Sequence, residues 1–225
     1  MSEVQIPWNG SEIAGYLAVP ESGSGPGTIV LQEWWGLDDS VRAVCDNFAR
    51  EGFVALAPDL YGKETTNEPD EAQRKMMNLE MDKVARQMSG TVDLLAGHEA
   101  VSGDKVGSMG YCLGGGLSIW AASVNDKVGA AVSYYGVFPH GEPDYSAVKV
   151  PVQGHFGTAD DYIPVEQAKA LEQALKDAGA DAEFFLYEGC GHAFASEGNR
   201  IGTGNAEAKA LAWSRTVDFL RANLG

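Results

Sequence analysis

Three residues of this chain have side chains suited to covalent acyl chemistry, and each stands just beyond a short β-branched run. The first is Cys112, in Gly110-Tyr111-Cys112-Leu113-Gly114-Gly115-Gly116, between the run Lys105–Met109 and a helical segment Leu113–Ser123. This is the spacing of a nucleophile elbow, G-x-S-x-G, with cysteine in the serine position. So sharp a strand-to-helix turn requires glycine two positions before and after the nucleophile, because side chains there would collide. The helix starting at the elbow aims its free amides and positive dipole end at the sulfur, which favours a thiolate and later an oxyanion. The competing explanation is a buried structural cysteine beside a Gly-rich helix start.

The second position is the pair Asp160-Asp161, in the loop Gly157–Pro164 after the run Val150–Phe156. One aspartate could orient an imidazole while the other caps the helix that begins near Val165. The third is His192, in Glu188-Gly189-Cys190-Gly191-His192-Ala193-Phe194 after the run Ala182–Tyr187, where a Gly-x-Gly turn leaves it free to act as a base. Taken singly, each residue has a bland alternative. Together they follow the chain order nucleophile, acid, histidine, each behind a separate strand, which is the order of the α/β-hydrolase triad.

The elements that must position these residues are legible as an alternation. Strand-like runs occur at Gly27–Gln32, Phe53–Ala57, Lys105–Met109, Gly129–Tyr135, Val150–Phe156 and Ala182–Tyr187. Helical spacing fills Ser40–Glu51, Asp70–His98, Leu113–Ser123, Val165–Ala178 and Asn205–Asn223. Strands alternating with helices imply βαβ units: an α/β fold with a mostly parallel central sheet and helices on both faces, read as one domain over residues 1–225. Glu3–Pro7 and Glu12–Val19 would add an antiparallel hairpin at one edge. In such sheets the chemistry lies beyond the carboxyl ends of the strands, where all three loops fall.

Composition narrows the partners. With 16 Lys+Arg against 32 Asp+Glu the chain carries a formal charge of −16 over 225 residues, which disfavours nucleic acid and anionic membrane surfaces. No apolar run reaches the ~18 residues of a membrane span, and no basic-then-apolar leader opens the chain. A monomeric cytoplasmic protein with reduced thiols is expected. Cys45, Cys112 and Cys190 have no CxxC spacing, so neither a disulfide framework nor a zinc site is indicated. A metal held by Cys190, His155, His192 and the aspartates lacks the usual ligand spacing, so no metal or cofactor is expected. Cys45 and His155 read as structural.

The segments Gln32-Glu33-Trp34-Trp35-Gly36-Leu37, Ala57-Pro58-Asp59-Leu60-Tyr61, Gly110–Gly115, Ser133–Gly136, Gly157-x-x-Asp160-x-x-Ile163-Pro164 and Gly191-His192-x-Phe194 together resemble the dienelactone hydrolase family, through essentially the whole chain. The resemblance implies an α/β-hydrolase fold and a carboxymethylenebutenolidase-like hydrolase of lactones or esters. It implies Cys112 as nucleophile, His192 as base and Asp160, rather than Asp161, as the orienting acid. Glu33 matches a family glutamate that lies against the nucleophile and helps set its protonation. The amides of Trp34 and Leu113 match the oxyanion hole.

The family's dienelactone carries a carboxylate held by arginines. One of these lies four residues after the catalytic histidine, where this chain has Ser196. The other comes from the long helix, where Arg74 is nearest, and Arg200 could substitute. A broader carboxylesterase or lactonase acting on neutral esters is therefore the second expectation, and a non-catalytic binding module the third, disfavoured by the intact triad. Trp35, Tyr135 and Phe194 are expected along the substrate pocket. Met76, Met77, Met81 and Met88, on the helix Asp70–His98, read as gap-filling core rather than as a lid.

Overall fold

The computed structural model describes residues 2–224. Its centre is one eight-stranded sheet in the order β1-β2-β4-β3-β5-β6-β7-β8. The strands are β1 (Ser2–Trp8), β2 (Ser11–Ala18), β3 (Gly25–Leu31), β4 (Val54–Pro58), β5 (Val101–Tyr111), β6 (Val128–Tyr134), β7 (Val152–Gly157) and β8 (Ala182–Tyr187). The helices are α1 (Asp39–Arg50), α2 (Pro69–Met77), α3 (Met81–Ala96), α4 (Leu113–Val124), α5 (Val165–Asp177) and α6 (Ala206–Leu224). The hairpin β1–β2 is antiparallel and sits at an edge, with β2 also antiparallel to β4; from β4 onward every neighbour pair is parallel. The α/β architecture is as expected.

The central strands are buried along their length because helices cover both faces, which is why they read as continuous apolar runs. Two cores result. One, with Phe48, Phe53, Tyr134 and Phe156, lies under α1 and α6; the other, with Ile29, Leu56, Met88 and Leu117, lies under α3 and α4.

One element differs in kind from the sequence expectation. Asp70–His98 is two helices, interrupted at Asn78–Glu80, where Glu80 is extended (φ −85°, ψ 100°). Asn is a poor interior helix residue, and the break lets Leu79 turn toward the core. The methionines are consequently divided: Met88 is fully buried in the core, Met77 is half exposed, and Met76 reaches a surface cavity. The core expectation thus holds for Met88, holds in part for Met76 and Met81, which pack against that core while partly buried, and fails for Met77. β5 also begins four residues earlier than Lys105–Met109 suggested, where Gly25 of β3 pairs with Val101.

Candidate active site

Cys112 occupies the step between β5 and α4 with φ 53° and ψ −117°. L residues seldom adopt that region, and a backbone held there marks a position fixed by its surroundings. Its N–H donates to the Tyr134 carbonyl at 3.0 Å, and its carbonyl accepts from Gly115 and Val137, each at 3.0 Å. The two glycines of the elbow are compulsory. A Cβ on Gly110 would lie 2.4 Å from the Gly114 carbonyl group, and one on Gly114 would lie 2.1 Å from the Leu31 carbonyl oxygen.

Asp160 and His192 follow the ends of β7 and β8, with β6 between them and the elbow strand β5. Asp160 Oδ2 lies 2.9 Å from His192 Nδ1, and Asp160 Oδ1 accepts from the Tyr162 and Ile163 amides, both at 2.8 Å. Both residues are buried, whereas Asp161 is exposed. The expectation that one aspartate caps α5 is not met: Pro164 precedes that helix without a side-chain cap, and Asp160 instead closes the turn within its own loop. The carboxylate on Nδ1 fixes the imidazole so that Nε2 is the nitrogen left for chemistry. The ring is wedged between Tyr135 (4.9 Å between centroids) and Tyr162 (5.0 Å).

Glu33 enters from the loop after β3. It is buried, and its Oε1 accepts a 2.8 Å hydrogen bond from Ser196 Oγ. Burial pushes its carboxyl above the ordinary value of 4.5, and the Ser196 bond only partly offsets this. The Cys112 thiol is likewise driven up, first by burial and then by the Glu33 charge, against a smaller favourable hydrogen bond from the Leu113 N–H. The helix start therefore favours the thiolate as the sequence implies, but desolvation outweighs it and the resting group is the thiol.

Cys112, His192, Glu33 and Ser196 open onto one cavity of about 180 Å³. Trp35 and Arg200 of the expected binding residues also line it, as does Trp34, expected to lend its amide to the oxyanion hole. Three others do not. Tyr135 and Phe194 are fully buried and pack on each other at 5.6 Å, forming a floor beneath His192 rather than a cavity wall. Arg74 is exposed; its helix faces the cavity with Gln73 and Met76, three residues apart on one face, and Arg74 is rotated about 100° away from Gln73. Tyr162, Val137 and Ile201 line the cavity although nothing in their residue types marks them beyond positions in or near strand-end loops.

The other singled-out groups are structural. Cys45 is buried in α1, and Cys190 is buried in its turn. His155 is enclosed by Tyr187 (2.8 Å), Gln153 (3.0 Å) and Thr216 (3.1 Å), and burial lowers it from 6.5 to about 3. Among the described residues no group of three or more His, Cys, Asp or Glu is placed to hold a metal, and no helix is long and apolar enough to cross a membrane.

Comparison with known proteins follows the same outline. Residues 13–224 match the model of the "Dienelactone hydrolase family". The chain is 34% identical to "Protein usf" of Aquifex pyrophilus, over 98% of each chain. It is 29% identical to the "Putative carboxymethylenebutenolidase" of Aquifex aeolicus, again over 98% of each. The crystal structure titled "Putative Dienelactone Hydrolase" from Klebsiella pneumoniae superposes with a TM-score of 0.83 at 26% identity, covering 98% of this chain and 97% of that one. Elbow, strand-end loops and sequence thus lead to one conclusion: the chain belongs to the dienelactone hydrolase family, and is a hydrolase of α/β-hydrolase fold.

Proposed function

We propose that the protein hydrolyses small carboxylic esters or lactones by acyl transfer through Cys112, with His192 as general base and acid and Asp160 holding its imidazole. The observation that carries this reading is the 2.9 Å Asp160–His192 pair on the same cavity as a cysteine held at φ 53°. In the reaction, the thiol proton passes to His192, directly or by way of the Glu33 carboxylate, and the thiolate attacks the carbonyl carbon. The negative charge that develops on the carbonyl oxygen is stabilised by the Leu113 amide at the start of α4 and the Trp34 amide after β3. Collapse breaks the ester C–O bond, and the leaving alkoxide takes a proton from His192 as general acid. For a lactone the leaving hydroxyl stays attached to the acyl group. Water, deprotonated by His192, then cleaves the thioester, giving the acid and restoring the thiol.

A resting thiol in place of a free thiolate suits this scheme. A buried, protonated sulfur resists adventitious alkylation and oxidation, and becomes nucleophilic when a base takes its proton. The names carried by the relatives make dienelactones a substrate class to test beside simple esters. With p-nitrophenyl acetate, Cys112→Ala is expected to abolish turnover. Brief quenching of the wild type should leave the acyl group on the Cys112 peptide and not on Cys45 or Cys190. Full activity in Cys112→Ala would overturn the assignment.

A further inference from the structure

Hydrolysis through Cys112 leaves the charge of the substrate open, and the cavity wall bears on it directly. Arg200 is the only arginine among the cavity-lining residues, which include no lysine. Its guanidinium is already engaged on three sides. Nη1 donates to the Thr66 carbonyl at 3.1 Å, Nη2 is paired with the Asp38 carboxylate, and the group lies 5.0 Å over the Trp35 ring. Asp38 is itself fixed by a second task. Its Oδ1 caps α1 through the Ser40 and Val41 amides, at 3.0 and 3.1 Å, leaving Oδ2 for Arg200. The Asp38 side chain is only 9% exposed, so solvent screens this pair little on its acidic side.

The remaining charge on the wall is acidic or already matched. Glu33 carries a carboxyl, and His192 is paired with Asp160. At the Glu33 carboxyl the Asp38 charge acts more strongly than the Arg200 charge, so the Asp38–Arg200 pair offers no net positive field there. The rest of the wall is largely apolar, with Trp34, Trp35, Met76, Val137 and Ile201. A substrate carboxylate entering this cavity would lose its water and find no uncommitted charged donor, which is costly. An uncharged acyl chain would lose little and gain apolar contact.

We propose that Asp38 is a specificity-determining residue: by holding the Arg200 guanidinium it makes the cavity select uncharged acyl esters and lactones over those carrying a carboxylate. This inference rests on the hydrolase reading above. Asp38→Asn is the informative change, because asparagine caps a helix as well as aspartate does while removing the charge that neutralises Arg200.

The test compares p-nitrophenyl hexanoate with the p-nitrophenyl monoester of adipic acid, which differ by a methyl against a carboxylate at the far end of the acyl chain. The kcat/KM ratio in the wild type is expected to favour hexanoate by at least ~10-fold. In Asp38→Asn it should shift toward adipate by roughly 10-fold, the effect of one unit charge at ~10 Å and an effective dielectric near 20. Arg200→Gln should shift the ratio the other way. Equal or better turnover of adipate by the wild type would overturn the inference while leaving the hydrolase reading intact. So would an unchanged ratio in a folded Asp38→Asn. Turnover of neither ester would overturn both. The wild-type ratio needs no variant, so a poorly folding Asp38→Asn would still leave a decisive measurement.

Discussion

Replacing Ser196 by alanine removes the 2.8 Å hydrogen bond that its hydroxyl donates to Glu33 Oε1, in a place where both residues are buried. The consequence can be worked from the difference between two states. A hydrogen bond to an ionised carboxylate contributes ~1.5–3 kcal/mol, and one to a neutral carboxyl ~0.5–1.5, so the loss falls more heavily on the ionised form by about 1.4 kcal/mol. That is roughly 10-fold in the ionisation equilibrium. The sign follows from the resting state: burial already holds the Glu33 carboxyl above 4.5 and the Ser196 bond opposes burial, so its removal moves Glu33 further up. If the Glu33 carboxylate takes the Cys112 proton, the acid limb of kcat/KM must move to higher pH. At a fixed pH on that limb turnover falls about 10-fold, with little change on the alkaline side. The assay is a profile of p-nitrophenyl acetate hydrolysis from about pH 5 to 9. Ser196→Thr, which keeps a hydroxyl, serves as the control expected to retain the wild-type limb. A limb that stays in place in Ser196→Ala, or moves to lower pH, would refute this role for Glu33.

Three further outcomes are expected. Asp160→Asn should keep the turn bonds from Tyr162 and Ile163 but present the wrong group to His192 Nδ1, lowering kcat on the order of 10³–10⁴-fold with unchanged circular dichroism. A loss under tenfold would mean that the aspartate does not orient the base. Gly114→Ala places a Cβ 2.1 Å from the Leu31 carbonyl oxygen, so urea unfolding should show a loss of at least ~3 kcal/mol, and a wild-type midpoint would contradict the close approach of α4 to β3. His155 is lowered from 6.5 to about 3, so as pH falls through that window the unfolded chain binds a proton that the fold refuses, and stability declines by up to ~1.4 kcal/mol per pH unit. His155→Gln should start less stable, having lost the Tyr187 and Thr216 partners, yet decline less steeply between those values; an equal slope would remove His155 from the acid response.

The separation between what could be read and what could not follows interaction range. The elbow glycines, the strand-end position of each chemical residue and the α/β alternation are local facts. Gly110 is demanded by the Gly114 backbone four residues on, whereas Gly114, although flagged by the same local spacing, is required by the distant Leu31 carbonyl; β-branched runs declare strands wherever both faces will be covered. The interruption at Asn78–Glu80 escaped because helical periodicity is continuous across it, and only packing of Leu79 against a distant core decides that the chain breaks there.

Residue types and their order along the chain determined the class of fold and singled out the nucleophile and base proposed above, since a strained turn and a βαβ pattern are written in consecutive residues. Tertiary structure decided everything that depends on burial and on pairs far apart in sequence. It put Tyr135 and Phe194 beneath His192 instead of against substrate, and turned Arg74 to solvent. It also raised the Cys112 thiol where the helix start alone would have lowered it, and joined Arg200 to Asp38, 162 positions away. Desolvation and through-space charge have no sequence signature, because both are properties of the volume a residue comes to occupy and of what else shares it.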